Sequence, residues 1–274
     1  MSDHFDAIVI GGGPAGYHAA IRAAQLGLRT ACVDAWTGPD GKAALGGTCL
    51  NVGCIPSKAL LDSSKQFWNL QHGFGVHGIS VKDAKIDVAT MVGRKDKIVK
   101  QFTGGVAMLF KANKITAYLG RGKLLQGRQV EVTAPDGSKQ TLAATNVIIA
   151  TGSVPIELPF AKVDGKRIVD NAGSLEFSEV PKRLGVIGAG VIGLELGSVW
   201  KRLGSDVTII EALPDFLSVA DADVAKTAAR EFAKQGLKIE LGAKLSKAEI
   251  NGSEVRLTYT GKHGEKQLVV DKLL

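Results

Sequence analysis

Two stretches of the chain carry the same pattern of apolar and polar positions. Residues 6–35, DAIVIGGGPAGYHAAIRAAQLGLRTACVDA, align without a gap on residues 183–212, RLGVIGAGVIGLELGSVWKRLGSDVTIIEA. Each stretch contains an apolar segment of strand length, a glycine-rich turn, an amphipathic helix that ends at a glycine, a second apolar segment and then an acidic residue. This order predicts a strand–helix–strand unit with parallel strands in each half of the chain.

The pattern outside these two units predicts further elements. Helices are expected near 14–26, 55–70, 90–112 and 221–235. Strands are expected within 115–149 and near 237–260, with turns at Ala134–Gly137 and Gly261–Gly264. The segment 154–182, which contains three prolines, is expected to link two domains. We therefore predict an α/β fold with two Rossmann-like, doubly wound dinucleotide-binding domains, at residues 1–153 and 154–274.

Composition and charge agree with a globular protein and argue against a nucleic-acid partner. The 274 residues are 45% hydrophobic and 22% charged, and the net charge is +7. The lysines and arginines are scattered, and the densest run, Arg94–Lys100, is interrupted by Asp96. We predict that this run is the solvated face of a helix. Because no basic patch is interleaved with aromatic residues, no nucleic-acid partner is expected.

No membrane partner is expected either. The longest apolar run, residues 184–200, is short for a membrane span and contains Glu195, so it is predicted to be a buried strand, turn and helix. The sequence opens with MSDHFDAIVIGG, without the basic and apolar segments typical of a secretory signal. Three cysteines are also too few for an extracellular disulfide framework. These features predict a cytoplasmic protein.

The glycines of the two turns are expected to bind dinucleotides. In the G-x-G-x-x-G pattern the first glycine makes the tight turn, the second admits a pyrophosphate close to the backbone, and the third lets the helix pack on the strand. The N–H groups at the start of the helix then face the phosphates. The candidate residues are Gly11, Gly13 and Gly16 in the first unit, and Gly188, Gly190, Val191 and Gly193 in the second. Two complete units predict two dinucleotides.

The acidic residues that close the two units favour cofactors with free ribose hydroxyls. Asp34 and Glu211 occupy equivalent positions, where a carboxylate accepts hydrogen bonds from the adenosine ribose. No arginine follows Glu211 closely, so the second site is predicted to bind NAD rather than NADP. Residues 147–153, VIIATGS, are predicted to be a buried strand that runs into a turn of small residues beside the first cofactor.

The stretch GGTCLNVGCIPSK, residues 46–58, places Cys49 and Cys54 five residues apart. A zinc half-site lacks a second pair of ligands at the usual spacing. A structural disulfide would close a very short loop and would stabilise the fold by only about 2 kcal/mol. A redox couple is favoured, because Pro56 suits the first turn of a helix and a thiolate is stabilised near a helix N-terminus. Cys32, on a predicted strand, is expected to be a small buried hydrophobic residue.

These motifs resemble those of a known family. A glycine-rich repeat, GGTCLNVGCIPSK, ATGS and a second glycine-rich repeat follow one another as in the pyridine nucleotide–disulfide oxidoreductases. Within that family, CLNVGCIPSKALL and GVIGLELGSVW resemble the dihydrolipoamide dehydrogenases, and the resemblance covers the whole chain. It implies FAD in the first site and NAD in the second. Asp34 stands where glutamate is more usual, and the inserted segment Trp36–Ala44 is expected to be a surface excursion.

The resemblance also implies individual roles. Cys54 would lie against the flavin as the thiolate of a charge-transfer contact, and Cys49 would exchange with the dithiol substrate. Lys58 would lie near the redox-active nitrogen of the flavin, with Glu195 as its ion-pair partner across a domain interface. A carboxylate in an apolar helix independently favours such a pair, although an exposed Glu195 is the alternative. Further FAD contacts would come from Gly47, Thr48, Gly122, Thr151, Gly152 and Ser153.

The implied activity is the oxidation of protein-bound dihydrolipoamide, with electrons passing through the cysteine pair and FAD to NAD⁺. The implied partners are the dihydrolipoamide-bearing carrier domains of 2-oxo acid dehydrogenase complexes, and the implied assembly is a homodimer. The family's catalytic histidine and its dimerisation domain have no counterpart before Leu274, so we expect an N-terminal fragment that is inactive in full turnover. Two alternatives stay open: a different disulfide reductase of the mercuric reductase type, and a nucleotide-binding fragment without catalysis.

Overall fold

The computed structural model describes residues 4–274. They divide into two compact units. Unit 1 comprises the described part of Met1–Pro56 together with Asp96–Val154, and unit 2 comprises Ser57–Lys95 and Pro155–Leu274. The helical segment 57–95, which the sequence placed in the first domain, therefore groups with the second glycine-rich repeat. The change of unit at Val154 lies beside the boundary predicted from the sequence.

Unit 1 is built on a six-stranded sheet in the order β3-β2-β1-β6-β5-β4. Its strands are β1 (His4–Ile10), β2 (Thr30–Asp34), β3 (Thr116–Leu119), β4 (Arg121–Leu125), β5 (Gln129–Thr133) and β6 (Lys139–Ile149). Strands β3, β2, β1 and β6 are parallel, and β5 and β4 extend the sheet as an antiparallel meander. Central parallel strands flanked by helices are the arrangement predicted from the first repeat.

The sheet of unit 1 is buried on both faces, as its nearly continuous apolar strands require. Ile8, Ile10 and Val33 belong to an apolar cluster on one face, which includes residues of the meander. Val9 and Cys32, one position out of phase, belong to the cluster on the other face together with helical residues. The helices of this unit include α1 (Pro14–Gln25), α2 (Gly47–Val52), the start of α3 (Cys54–His72) and the end of α4 (Val88–Ala112).

Unit 2 repeats the strand–helix–strand arrangement in a four-stranded sheet, ordered β13-β7-β8-β9, with parallel neighbours. Its strands are β7 (Arg183–Ile187), β8 (Asp206–Ile210), β9 (Lys238–Glu240) and β13 (Lys272–Leu273). Its helices include α5 (Asn171–Ser174), α6 (Val191–Arg202) and α7 (Ala222–Lys234). An antiparallel three-stranded sheet packs beside it, formed by β10 (Lys244–Asn251), β11 (Glu254–Gly261) and β12 (Gly264–Val270).

The predicted α/β class and the main helices and strands are confirmed, but four local predictions need correction. The short helices α2 and α5 were not predicted, because neither is long enough to show helical periodicity. The segment 154–182 is more than a link, since Ala161 and Ile168 are buried in the core of unit 2.

The third correction concerns residues 147–149, which form the end of β6 but are not buried. Ile149 is 63% exposed, because the apolar cluster on β6 centres on Leu142 and Ala144 and reaches only as far as Val147. The fourth concerns the basic run Arg94–Lys100. Lys95 is buried rather than solvated, because its ammonium group bonds to Glu176. None of the helices in the described residues combines the length and apolar character needed to cross a membrane.

Candidate functional site

The first glycine turn joins β1 to α1, and packing explains only two of the three glycines of its G-x-G-x-x-G pattern. Gly11 has a φ of +110°, and a Cβ there would overlap the carbonyl oxygen of Ala150. A Cβ on Gly16 would overlap the carbonyl oxygen of Gly11. Gly13 has an ordinary φ of −74°, and a Cβ there would meet nothing closer than the Gly47 Cα at 3.6 Å. The protein itself does not require glycine at position 13, so the free space there is suited to a bound group.

Helix α1 presents its N-terminus at this turn. Gly13 is the N-cap and makes no side-chain cap, and Pro14 occupies the first position. From residue 4 onward no N-cap side chain bonds to the N–H groups of the first turn, which lie at the positive end of a twelve-residue helix. This is the arrangement that binds a pyrophosphate.

Asp34, at the end of β2, has one carboxylate oxygen that finds no partner in the described part of the chain. The backbone N–H groups of Gly12, Ala35 and Trp36 lie near enough to the carboxylate to influence its pKa, but Oδ2 is buried and makes no hydrogen bond in the described residues. Burial is the largest influence and raises the pKa of Asp34, while the three N–H donors lower it. An orphaned acceptor beside an open glycine turn fits a ribose hydroxyl, which can donate to it. The residues present therefore fit the adenosine end of a dinucleotide.

The segment that carries the cysteine pair is attached directly to the first glycine turn. The Gly46 N–H donates to the Gly12 carbonyl at 2.9 Å. Gly47 has a φ of +57°, and its Cα lies against Gly13. Leu45 is buried and lies against Gly12. The predicted FAD contact Gly47 thus lines the turn, and Thr48, the next residue, is exposed in the first turn of α2.

Cys49 and Cys54 lie on consecutive helices that are separated by Gly53. Cys49 is half-buried in α2, and Cys54 is the exposed first residue of α3. A Cβ on Gly53 would lie 2.8 Å from the Thr48 carbonyl oxygen and 3.2 Å from the Cys49 Cα. The chain therefore folds back tightly at Gly53, so that α3 begins beside Cys49. Helix N-termini stabilise thiolates, which suits Cys54 for redox chemistry.

Tyr17 is a residue of this site that sequence reasoning missed. It lies in the first turn of α1, and its pKa is raised first by burial and then by the negative charges of Cys49 and Cys54. Both cysteines are therefore close enough to Tyr17 to interact electrostatically. The signal in the sequence was its position four residues after Gly13, on the helix that the glycine turn opens.

The other predicted contacts of the first site lie around the same turn in unit 1. Ala150 donates its N–H to the Ile10 carbonyl at 2.8 Å, so the chain after β6 runs beside β1. Thr151, Gly152 and Ser153 follow Ala150 and are exposed, and Gly152 has a φ of +72°. Gly122, on β4, lies against the side chains of Ile10 and Val33, and a Cβ there would be 2.9 Å from Ile10 Cγ2. Packing alone explains why position 122 is glycine.

The second glycine turn, in unit 2, is more open than the first. Gly188 has a φ of +97°, yet a Cβ there, or on Gly190, would meet nothing within 4 Å. A Cβ on Gly193 would overlap the carbonyl oxygen of Gly188, which repeats the packing of Gly16. Val191, the first residue of α6, is 58% exposed. The open backbone at Gly190 again leaves room for a pyrophosphate.

Glu211 is held differently from its counterpart Asp34. Its Oε2 accepts the Ala189 N–H at 2.7 Å, and its Oε1 accepts the Leu213 N–H at 2.8 Å. Both oxygens of the longer glutamate side chain are therefore fixed by the backbone on either side of the site. A carboxylate oxygen has more than one lone pair, so each oxygen keeps capacity for a ribose hydroxyl.

Lys58 and Glu195 form the ion pair that the family resemblance implied, but both lie in unit 2, so the pair does not cross a domain interface as expected. The Lys58 ammonium donates to both oxygens of Glu195, at 2.7 and 2.8 Å. Ser57, which is buried and was not singled out from the sequence, donates its hydroxyl to Glu195 Oε2 at 3.0 Å. Its only sequence signal was its place directly before Lys58. The alternative of a fully exposed Glu195 is wrong, since the side chain is 24% exposed and held by two donors.

Cys32 does not belong to the redox pair. It is fully buried on β2, and burial, followed by the charge of Asp34, raises its pKa to about 12. A thiol with this pKa stays protonated and unreactive at neutral pH. In the part of the chain from residue 4 onward, no three His, Cys, Asp or Glu residues group together as a metal site.

Comparisons with known proteins agree with this geometry. Residues 5–274 match the family described as pyridine nucleotide-disulphide oxidoreductase. The chain is 54% identical to a dihydrolipoyl dehydrogenase of Cupriavidus necator over 277 aligned residues, which cover all of this chain and 58% of that protein. It is 45% identical to the mitochondrial dihydrolipoyl dehydrogenase of Pisum sativum, over 98% of this chain and 53% of that protein.

Solved structures show the same likeness in three dimensions. A crystal structure of LpdA from Mycobacterium tuberculosis superimposes with a TM-score of 0.85 at 27% identity, over 98% of this chain and 57% of that one. The HOCl-induced flavoprotein disulfide reductase RclA from Escherichia coli superimposes with a TM-score of 0.78 at 27% identity, over 98% of this chain and 55% of that one. The chain thus spans about half the length of the relatives that it matches.

Proposed function

The chain belongs to the pyridine nucleotide-disulphide oxidoreductase family, and from this premise we propose that it carries the redox centre of a dihydrolipoyl dehydrogenase. The reaction is the oxidation of protein-bound dihydrolipoamide to lipoamide, with FAD as the resident cofactor and NAD⁺ as the final acceptor. One observation carries this proposal: the backbone of the cysteine segment is hydrogen-bonded and packed against the glycine turn that fits FAD. The dihydrolipoyl dehydrogenase relatives support the choice of substrate.

The two units take one cofactor each. Residues 1–153 are proposed as the FAD-binding domain, with Gly11, Gly13, Gly16 and Asp34 at the adenosine and pyrophosphate end, although residues 57–95 of this range pack in unit 2. Residues 154–274 form the NAD-binding domain, with Gly188, Gly190, Val191, Gly193 and Glu211 in the equivalent positions. The open Gly13 and Gly190 backbones and the Asp34 Oδ2 acceptor support this assignment.

The cysteine pair exchanges electrons with the dithiol. One substrate thiolate attacks the sulfur of Cys49 in the Cys49–Cys54 disulfide, and Cys54 leaves as a thiolate at the N-terminus of α3. The second substrate thiol, after losing its proton, attacks the substrate sulfur that is now bonded to Cys49, which closes the substrate disulfide and releases Cys49. The substrate has then lost two electrons and the cysteine pair has gained them. Bound FAD supplies the acceptor that passes this electron pair on to NAD⁺.

Lys58 and Glu195 support this chemistry from α3 and α6. Lys58 lies four residues after Cys54 on one continuous helix, so both side chains leave the same side of α3. The two hydrogen bonds from Lys58 to Glu195 hold the ammonium group in place. We assign the pair a catalytic role at the flavin, as the family resemblance implies. Gly47, Thr48, Gly122, Thr151, Gly152 and Ser153 are assigned to FAD on the same ground.

We also propose the partners, assembly and location. As the family resemblance implies, the partners are the lipoyl-bearing carrier domains of 2-oxo acid dehydrogenase complexes and the active form is a homodimer. The proposed location is the cytoplasm, which the low cysteine content supports.

Reconstitution tests the function directly. The purified chain is expected to take up FAD in a 1:1 ratio, and anaerobic dihydrolipoamide is expected to reduce the Cys49–Cys54 disulfide. The variant Cys49→Ser is expected to bind FAD equally well but to leave the dihydrolipoamide unoxidised. A colourless protein that takes up no FAD would contradict the flavoprotein assignment. Oxidation of dihydrolipoamide by Cys49→Ser would contradict the role of the cysteine pair.

A further inference from the structure

The inserted segment Trp36–Ala44, which we call the 36–44 loop, is an ordered hairpin. Thr37 and Ala43 form an antiparallel bridge, and the Ala44 N–H donates to the Trp36 carbonyl at 3.1 Å. Inside the bridge, the Gly38 N–H donates to the Lys42 carbonyl at 2.8 Å. Hydrogen bonds across the base of a hairpin fix where its two ends lie. The loop therefore has a defined position on unit 1.

Both ends of the 36–44 loop are anchored at the first glycine turn. At one end, Trp36 lies two residues after Asp34, and its backbone N–H is close enough to the Asp34 carboxylate to lower the pKa of that acid. At the other end, Asn51 Nδ2 donates to the Ala44 carbonyl at 3.0 Å and to the Gly47 carbonyl at 2.9 Å. Since Gly47 lies against Gly13, the loop leaves the site beside the ribose acceptor and returns beside the pyrophosphate turn.

Trp36 is the large apolar side chain at the base of this loop. It is half-buried, and within residues 4–274 no other aromatic ring stacks on it. An indole that is held by its backbone beside a ligand site, with part of its surface uncovered, offers a flat apolar face at low entropic cost.

The second repeat places a large apolar residue at the same position. Leu213 aligns with Trp36, two residues after the acid in both repeats. The Leu213 N–H donates to its acid, Glu211, and the side chain is 53% exposed. In each unit this position thus holds a large apolar residue whose backbone N–H lies near the ribose-binding acid. Its recurrence at both sites points to a shared task.

We propose that Trp36 stacks on the adenine ring of the dinucleotide bound in unit 1, and so determines its preference for an adenosine-containing flavin. The inference rests on the proposed function, which puts FAD in this site. The adenine is bonded directly to the ribose whose hydroxyl Asp34 Oδ2 is placed to accept. Trp36, whose backbone lies beside that carboxylate, is therefore within reach of the base. Stacking of a base on an aromatic side chain contributes about 1–3 kcal/mol by alanine substitution, or about five- to 150-fold in affinity.

Binding of ADP, which is the adenosine half of FAD without the flavin, separates this contact from the rest of the site. We would measure ADP and FAD binding to the apoprotein by calorimetry for the wild type and for Trp36→Phe, Trp36→Leu and Trp36→Ala. Trp36→Phe is expected to bind both ligands with dissociation constants within about threefold of the wild-type values. Trp36→Ala is expected to raise both dissociation constants by at least about tenfold. Trp36→Leu keeps apolar volume without a ring and is expected to lie between them.

Controls distinguish stacking from a structural role. Trp68→Ala removes a tryptophan that stacks on His72 in unit 2, and it is expected to leave ADP affinity unchanged. Urea unfolding of the three Trp36 variants is expected to show wild-type midpoints. Wild-type ADP affinity in Trp36→Ala would overturn the inference while leaving the proposed function intact, and so would affinities that merely follow the unfolding midpoints. A wild-type chain that binds neither ADP nor FAD would overturn the proposed function, and this inference with it.

Discussion

The two glycine turns share one sequence pattern but have different surroundings. At the first turn, Gly11 faces the carbonyl of Ala150, and Gly13 faces Gly47 of the cysteine segment. At the second turn, the space beside Gly188 and Gly190 is open. The glycines that pack helix on strand, Gly16 and Gly193, behave alike. The repeat therefore fixes the local strand–turn–helix geometry, and the segments packed around it make the two sites different.

The acidic residues at the two sites, Asp34 and Glu211, also differ in their surroundings. Among residues 4–274, Asp34 leaves one buried oxygen without a partner, whereas both oxygens of Glu211 accept backbone N–H groups. An enclosed site with an unsatisfied acceptor favours a group that stays bound, because removing that group leaves a buried polar atom unpaired. An open site with a satisfied acid suits a group that enters and leaves. This contrast agrees with a resident FAD in unit 1 and an exchangeable NAD in unit 2.

The largest expected difference between the two turns is in the stability lost when the first glycine of each turn is replaced by alanine. Gly11→Ala and Gly188→Ala both place a side chain at positive φ, which costs about 1–3 kcal/mol. Only Gly11→Ala also meets a fixed carbonyl, so it is expected to lower the free energy of unfolding by about 4 kcal/mol or more. Urea unfolding followed by circular dichroism measures both changes.

Gly16→Ala and Gly193→Ala serve as the matched control for this pair. Both meet a carbonyl oxygen, so both are expected to be strongly destabilising. If Gly11→Ala and Gly188→Ala lower the free energy of unfolding equally, the close packing around the first turn has no energetic consequence.

The second glycines are expected to affect ligand binding rather than folding. Gly13 and Gly190 have φ and ψ angles that alanine adopts readily. A Cβ on Gly13 would make only an ordinary contact with the Gly47 Cα at 3.6 Å, and a Cβ on Gly190 would meet nothing within 4 Å. Gly13→Ala is expected to weaken FAD binding by about ten- to hundredfold, and Gly190→Ala to weaken NADH binding similarly, since the methyl group would meet the pyrophosphate. The free energy of unfolding of either apoprotein is expected to rise by about 0.4–1 kcal/mol.

Cross-binding is the control for these two variants. Gly13→Ala is expected to retain wild-type NADH binding, and Gly190→Ala to retain wild-type FAD binding. Unchanged FAD affinity in Gly13→Ala would contradict the placement of the pyrophosphate in the space beside that residue.

Substitutions of the two acidic residues, Asp34 and Glu211, are expected to show the smallest difference between the two sites, and their effect on stability depends on pH. Asp34→Asn keeps an acceptor for the backbone N–H groups but loses the charge, so FAD affinity is expected to fall by about tenfold. Because the folded pKa of Asp34 is raised, its contribution to apoprotein stability is present below the unfolded pKa and is lost as pH rises through the folded pKa. The stability of Asp34→Asn relative to the wild type is therefore expected to increase as pH rises from about 4.

Unfolding titrations of the apoprotein between acid and neutral pH check this trend. Glu211→Gln is the control, since its carboxylate has no comparable orphaned oxygen in the described residues. A stability difference between Asp34→Asn and the wild type that stays constant with pH would contradict the buried, unsatisfied state of Oδ2.

The features that could be predicted from the sequence are those that depend on the local pattern of residues. Strand–turn–helix order, the roles of Gly11 and Gly16, and the burial of Cys32 all follow from residue type and periodicity. The Lys58–Glu195 pair was predicted from a family resemblance and from the cost of placing a carboxylate in an apolar helix.

What the sequence did not predict depends on contacts between distant segments. The burial of Lys95 requires Glu176, which lies 81 residues away. Ser57 and Tyr17 acquire their surroundings only when α6 and the cysteine segment pack against them. The grouping of residues 57–95 with unit 2 is likewise a property of packing, which single-sequence periodicity does not encode.

An absorption spectrum tests most directly whether Cys49 and Cys54 share an electron pair with a flavin bound at the first glycine turn. Anaerobic addition of dihydrolipoamide to the FAD-loaded chain is expected to produce a long-wavelength band from the Cys54 thiolate in contact with oxidised flavin. The band is expected to persist in Cys49→Ser and to vanish in Cys54→Ser. Its absence from the wild type, or its survival in Cys54→Ser, would contradict electron sharing between the cysteine pair and the flavin.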